Sequence, residues 1–269
     1  MELIQLLTYP FLACVCLILI HAYFGIHVLE RGIIFVDLSL AQLIGLGIAC
    51  SIYLGHEPHD QYLLSALFAV IGAFLLSFSR RIDRFVNIEA FIGVLYIFGL
   101  SASILVLDRT PHGLEELKSI FNGNILWVNG RDVLQAFLLY AVIGTFHFIF
   151  RKRFFALSYE GKHSVAWEFL FFLSFALVLV SSVKLAGILQ VFAFLVIPAL
   201  IGRLYSRSPG KVLAGGWLIG LGASIFGLLL SYRLDLPTAP LIVSSMCLVF
   251  FLLLAVKALT GKGKRQEEK

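Results

Sequence analysis

The sequence predicts an all-α integral membrane protein of about nine transmembrane helices (eight to nine), on three observations. Hydrophobic residues make up 60% of the 269 and charged residues 14%, for a mean hydropathy of +0.96. A soluble protein of this size needs a charged shell that such a composition cannot supply. The apolar residues fall in runs long enough for helices of about 20 residues, the length that crosses a bilayer core. The Lys and Arg residues collect in alternate loops between those runs, the pattern of a polytopic membrane protein.

The first run, 3–29, holds no Asp, Glu, Lys or Arg, and Glu2 precedes it in place of a basic n-region. A cleaved signal peptide is therefore not expected. The second run, 32–56, is interrupted only by Asp37. Others cover 61–79, 90–107 and 133–150, then 169–183, 185–202, 212–232 and 236–256. Residues 108–131 form the longest external loop, with Pro111 and Gly113 ahead of a polar helical turn. Residues 154–168 suit an interfacial helix. Residues 1–260 thus form one transmembrane domain, and 261–269, GKGKRQEEK, a charged cytoplasmic tail.

Orientation follows from charge. Sixteen Lys and Arg residues lie in one set of loops, and only Arg109, Lys118, Arg131, Lys184 and Arg233 in the other. The N-terminus is predicted outside and the C-terminus in the cytoplasm. Because the cations sit in short blocks between apolar runs, the net charge of +5 does not point to nucleic acid. One pair of crossings is short: 34 residues separate Glu168 from Arg203, with Lys184 the charged break, where two full helices want about 40. A single helix would reverse the parity and put a basic cluster outside. A short hairpin over 166–204 is predicted, its tip near Lys184 to Gly187. The run leaving that tip is expected to break at Pro198 and to deliver a short helix, with Arg203, Arg207 and Lys211, to the cytoplasm.

An ionised side chain at mid-bilayer costs roughly 2.5–3.5 kcal/mol on insertion scales, so polar groups inside spans are informative. Asp37 is placed roughly two turns into the second helix. Ser39 and Gln42 share a face, while Asp37 points nearer Ala41 and Ile44. Asp37 either contacts a passing ion or partners a buried group. His21 lies midway along the first helix, where it needs a partner or a wet cavity. His27 shares a face with Glu30 and Arg31 and reads as a structural partner; His147 reads as interfacial. The outer loop offers His56, Glu57, His59 and Asp60, donors suited to a zinc- or manganese-like ion, and His112, Glu115 and Glu116 form a second such group. Cys14, Cys16, Cys50 and Cys247 lack metal spacing and read as small buried hydrophobes. Neither G-x-x-x-x-G-K-[ST], H-E-x-x-H nor G-x-S-x-G occurs. The chain is not expected to be an enzyme, and ATP-driven transport needs hydrolysis by another chain.

The run Leu185 to Leu204, LAGILQVFAFLVIPALIGRL, resembles the signature of zinc/manganese-type ABC importer permeases, where Gly-Ile-Leu-Leu leads to Val-Ile-Pro-Ala and a basic helix. GLLLSYRLDLPTAPLIV at 227–243, EAFIGVLYIFGLSASILVL at 89–107 and FNGNILWVNGRDV at 121–133 are similar to its other parts. The resemblance implies a homodimeric permease of the cytoplasmic (inner) membrane with no cofactor of its own. It implies two cytoplasmic ATP-binding subunits, an extracytoplasmic solute-binding protein, and divalent metal moving along the dimer interface. It also assigns ATPase docking to Pro198, Ala199, Arg203, Leu204 and Tyr205, with Arg207 beside them; Arg203 and Arg207 at a helix end suit its dipole. In the second helix the family shows Asp-Ala-Leu-Ser-His-Ala-Val-Leu-Pro-Gly. Aligned on Gly47, this chain has Gln42 in place of the histidine and Asp37 one position before the acid. Asp37 and Gln42, with His21, are the pathway candidates. The alternative is a self-sufficient secondary transporter or channel with Asp37 and His21 as a proton or cation relay; an intramembrane His/Asp enzyme is a third reading.

Overall fold

In hydrocarbon every backbone N–H and C=O must be bonded within the protein, and an α-helix achieves this inside one segment. The computed structural model is helical wherever the apolar runs lie. It describes residues 2–56, 58–123, 125–162 and 164–266, with the backbone alone for 2–5, 58–60, 80 and 261–266. The helices are α1 (Glu2–Arg31), α2 (Val36–Tyr53), α3 (Pro58–Ser77), α4 (Ser79–Ile82), α5 (Ile88–Leu107), α6 (Gly113–Asn122), α7 (Gly130–Ile149), α8 (Arg151–Tyr159), α9 (Val165–Tyr205), α10 (Pro209–Leu234) and α11 (Thr238–Gln266). A 3-10 turn, Ile125–Trp127, precedes α7. Local chemistry sets several starts. Asn87 caps α5 by accepting from the Ala90 N–H at 3.2 Å, and Asn129 and Asp132 cap α7 reciprocally. Pro209 opens α10, where its missing N–H costs no helical bond.

Among the described residues seven helices are long and apolar enough to cross a membrane, and Gln61–Ser77 within α3 is apolar but shorter. One of the seven, α9, has 41 residues. Straight, it would measure about 61 Å, twice the roughly 30 Å hydrocarbon core. It does not run straight. Gly187 interrupts it at φ 74°, ψ 165°, a conformation essentially restricted to glycine. Both ends of α9 then return to the last turn of α1, Glu168 pairing with Arg31 and Arg203 with Glu30. The legs 165–186 and 188–205 are antiparallel: this is the predicted hairpin. With α9 as two legs and α3 included, the crossings reach the predicted nine. The expected break at Pro198 is corrected, since the helix continues through it. Neighbouring helices in a membrane protein accommodate the lost backbone bond.

The hairpin tip is sealed by the loop that follows α6. Gly123, at φ 62° and ψ −170°, meets Gly187 backbone to backbone, and a Cβ on Gly187 would lie 2.2 Å from the Gly123 nitrogen. The hairpin is also the centre of the fold, with α1, α2, α3, α6, α10 and α11 packed against it. Its first leg buries Phe171 and Phe175 against Phe24 of α1, the Phe24 and Phe175 rings 4.8 Å apart, with Phe172 buried beside Phe171. Its second leg brings the Leu195 carbonyl to within 2.1 Å of where a Cβ on Gly25 would stand, the close approach that small residues give membrane helices.

Alternating crossings gather Arg31, Arg81, Arg84, Arg151, Lys152, Arg153, Lys162, Arg203, Arg207 and Lys211 at one end of the bundle, called the basic end below. The interfacial helix expected at 154–168 is shifted: α8 ends at Tyr159 and Val165 already begins α9. The backbone of α11 runs on to Gln266, so the predicted tail starts as helix; residues 267–269 lie outside the described residues.

Candidate functional site

α2 is enclosed by α3, α5 and α9, so its polar residues face protein. Asp37 lies in its first turn, not two turns in, because a turn through Gly32 at φ 66° delays the helix to Val36. An acid there suits the helix dipole. The side chain is 1% exposed, and among the described residues neither carboxylate oxygen has a hydrogen-bond partner. The Ser39 hydroxyl donates to the Val36 carbonyl at 2.9 Å. Gln42 is equally buried, its backbone pressed against Gly99 of α5 and its amide nitrogen unpartnered. Buried polar groups are nearly always bonded, so Asp37 and Gln42, with the Ser51 hydroxyl also unpartnered among the described residues, leave α2 with unused polar capacity; Asp37 and Gln42 are its two pathway candidates. Five residues apart, they point about 140° from each other around the helix.

His21 is fully buried in α1 with Nδ1 2.8 Å from the Leu17 carbonyl. A carbonyl only accepts, so Nδ1 carries the proton and Nε2, which has no partner among the described residues, presents a lone pair. α1 packs on α7, α8, α9 and α10, so it shares α9 with α2 but not α3 or α5. Among the described residues no hydrogen bond or ion pair joins His21 to Asp37 or Gln42, and no three His, Cys, Asp or Glu residues group as metal ligands. The three pathway candidates do not form one site within a protomer, and a relay from His21 to Asp37 lacks a connection.

The loop candidates separate similarly. His56 is exposed, while the side chains of Glu57, His59 and Asp60 lie outside the described residues. His112 and Glu115, both exposed, pair with each other at 3.0 Å at the start of α6, and His112 takes a left-handed conformation at φ 60°.

Sequence reasoning missed a buried polar and aromatic cluster at the junction of α1, α7, α8 and α9. His147 is corrected from interfacial to 1% exposed. Ser174 donates to the Phe171 carbonyl, which makes its oxygen the acceptor for His147 Nε2–H at 2.7 Å. Tyr23 then donates to Nδ1 at 3.0 Å, and the imidazole stacks on Phe154 with centroids 4.0 Å apart. His27 is buried with Nδ1 2.9 Å from the Ser158 hydroxyl, while Glu30 and Arg31, expected beside it, pair with α9. Gln190, a lone amide inside an apolar run, lies outside that cluster and aims its Nε2 at the Cys14 sulfur at 3.7 Å.

At the basic end, Pro198 and Ala199 are buried, Pro198 under Gly216 and Gly220 of α10 and Ala199 beside Gly25. Neither side chain is presented at the surface of the protomer. Arg203, Tyr205, Arg207 and Lys211 are exposed and Leu204 half-buried, and Lys257 lies 5.8 Å from the Tyr205 ring centroid. The exposed surface is the turn between α9 and α10, not a separate helix.

A profile of the ABC 3 transport family matches residues 4–257. The chain belongs to the ABC 3 transport family. It is therefore a multi-pass membrane permease, built of helices and embedded as its composition requires. The permease is similar to the chelated iron transport system membrane protein YfeC of Yersinia pestis, 25% identical over 237 residues that cover 85% of this chain and 79% of that one. It is similar to the manganese transport system membrane protein MntC of Listeria monocytogenes, 23% identical over 235 residues, 85% of this chain and 82% of that one. A solved structure described as PsaBC from Streptococcus pneumoniae in complex with Fab shares the fold of the permease. Its TM-score is 0.76 and its identity 20%, over 93% of this chain and 92% of that one.

Proposed function

We propose that the permease carries a divalent first-row metal ion, of the zinc or manganese class, inward across the cytoplasmic membrane. It works as a homodimer, with ATP hydrolysed by a separate cytoplasmic subunit and cargo delivered by an extracytoplasmic solute-binding protein. The family match over residues 4–257, with relatives named for manganese and chelated-iron transport, carries this conclusion. Asp37 supplies the one buried carboxylate on α2 and Gln42 a neutral oxygen on another face. Oxygen donors without imidazole suit manganese better than zinc and bind weakly enough for release. The basic end faces the cytoplasm, and the exposed turn with Arg203, Leu204, Tyr205 and Arg207 receives the ATP-binding subunit.

The deciding experiment co-expresses the permease with its chromosomal neighbours and purifies it. An ATP-binding chain is expected to co-purify and to hydrolyse ATP faster when metal-loaded binding protein is added. Arg207→Glu, at an exposed position with no ion pair among the described residues, is expected to abolish that stimulation without loss of permease. A permease that purifies alone and transports metal without ATP sinks the importer conclusion.

A further inference from the structure

A groove of about 510 Å³ opens between α7 and α10, with α1 forming its floor and Arg151 and Phe155 of α8 at its basic end. Four of its lining side chains carry polar atoms that are already bonded inside the protein. Tyr23 and His147 bond each other, Tyr140 meets the Ser182 hydroxyl at 2.8 Å, and the Trp217 indole donates to the Leu19 carbonyl at 3.2 Å. Apart from the Cys16 thiol and Arg151, the remaining wall is hydrocarbon, from Leu19, Phe137, Ala141, Gly144 and Leu213 among others. A hydrated ion or polar solute finds nothing to bond here; an alkyl chain finds a matching surface.

The mouth differs from the interior. Arg151 is exposed, forms no ion pair among the described residues, and lies 4.8 Å over the ring of Phe148, both residues lining the groove. Lys152 and Arg153 follow it, and Pro209–Gly210, the start of α10 without a capping side chain, forms the opposite lip. An apolar slot at membrane depth with a fixed cation at its interfacial end complements an anionic headgroup above an acyl chain. A second copy of the chain would bring its own basic cluster to the same place, so charge argues against that occupant.

We propose that this groove binds one anionic glycerophospholipid of the basic-end leaflet, phosphate at Arg151 and acyl chain along Leu19, Ala141 and Gly144. The site is independent of which metal the permease carries. The lipid bridges α8 and the start of α10, directly after the turn assigned to ATPase docking, so membrane composition has a physical route to coupling.

Gly144 provides the test, because a Cβ there meets nothing within 4 Å and a larger side chain enters the groove unopposed. Purified permease in mild detergent is equilibrated with phosphatidylglycerol or phosphatidylcholine and examined by native mass spectrometry. Wild type is expected to retain one phosphatidylglycerol per chain and Gly144→Phe none above background. Arg151→Gln is expected to hold phosphatidylglycerol about fivefold more weakly, with phosphatidylcholine unchanged. Should Gly144→Phe lower the melting temperature, the exposed Arg151→Gln decides alone. Unchanged phosphatidylglycerol retention in Arg151→Gln overturns the proposal. So does a disulfide between two Gly144→Cys chains in native membranes, which would give the groove to the dimer interface.

Discussion

Two adjacent residues at the end of α1 grip opposite ends of the hairpin, and their environments make them unequal. Arg31 and Glu168 are both buried, with the guanidinium 5.2 Å and 4.9 Å from the Phe171 and Phe172 ring centroids. Removing one member of such a pair strands the other charge, at roughly 3–5 kcal/mol. Glu168→Ala is therefore expected to lower the melting temperature of the purified permease sharply, and the double change Arg31→Met with Glu168→Met to recover much of it. A Glu168→Ala protein as stable as wild type would show that the burial is not costly. The partly exposed Glu30–Arg203 pair is screened, so Glu30→Gln is expected to cost about 1 kcal/mol or less. Function separates from stability at Asp37. Asp37→Asn keeps the shape and removes the charge, and is expected to reduce metal uptake roughly tenfold or more, equivalent to about 1.4 kcal/mol. His27→Ala, at matched membrane abundance, is expected to retain more transport; equal uptake by the two removes Asp37 from the path.

At the level of elements, the hairpin depends on Gly187 and Gly123 sharing one contact. Gly187→Ala adds a strain of about 1–3 kcal/mol and drives a methyl into the Gly123 backbone. Little folded permease is expected to survive detergent extraction, as read by size-exclusion chromatography. Gly144→Ala, facing open space in a helix, is expected to be neutral or to stabilise by up to about 1 kcal/mol. If both variants elute like wild type, the tip is not pinned by its glycines. The hairpin was legible in the sequence because only an even number of legs keeps the basic clusters on one side. Its hinge was not. Proline draws attention as a helix breaker, yet the turn needs a positive φ, which Gly187 supplies and Pro198 cannot.

For the whole molecule, the separation of charge between the ends makes orientation testable. Lys118→Cys is expected to react with a membrane-impermeant maleimide in intact cells, and Lys152→Cys only after permeabilisation. The reverse labelling pattern would invert the proposed topology and move the docking turn outside. Within one protomer, α1 and α2 both pack on α9, yet among the described residues no hydrogen bond or ion pair joins His21 to Asp37, so the two do not form a continuous path in this conformation.

The sequence by itself determined the class, the crossings, the sorting of cations and the need for a hairpin. These properties arise from transfer of each segment between water and hydrocarbon, a cost that adds up residue by residue along the chain. The tertiary structure alone decided which buried polar groups are satisfied. His27 finds Ser158 131 positions away and Arg31 finds Glu168 137 positions away, whereas Asp37 finds no partner among the described residues. A hydrogen bond is won or lost within a few tenths of an ångström, so it depends on how distant helices pack, and no local pattern encodes that.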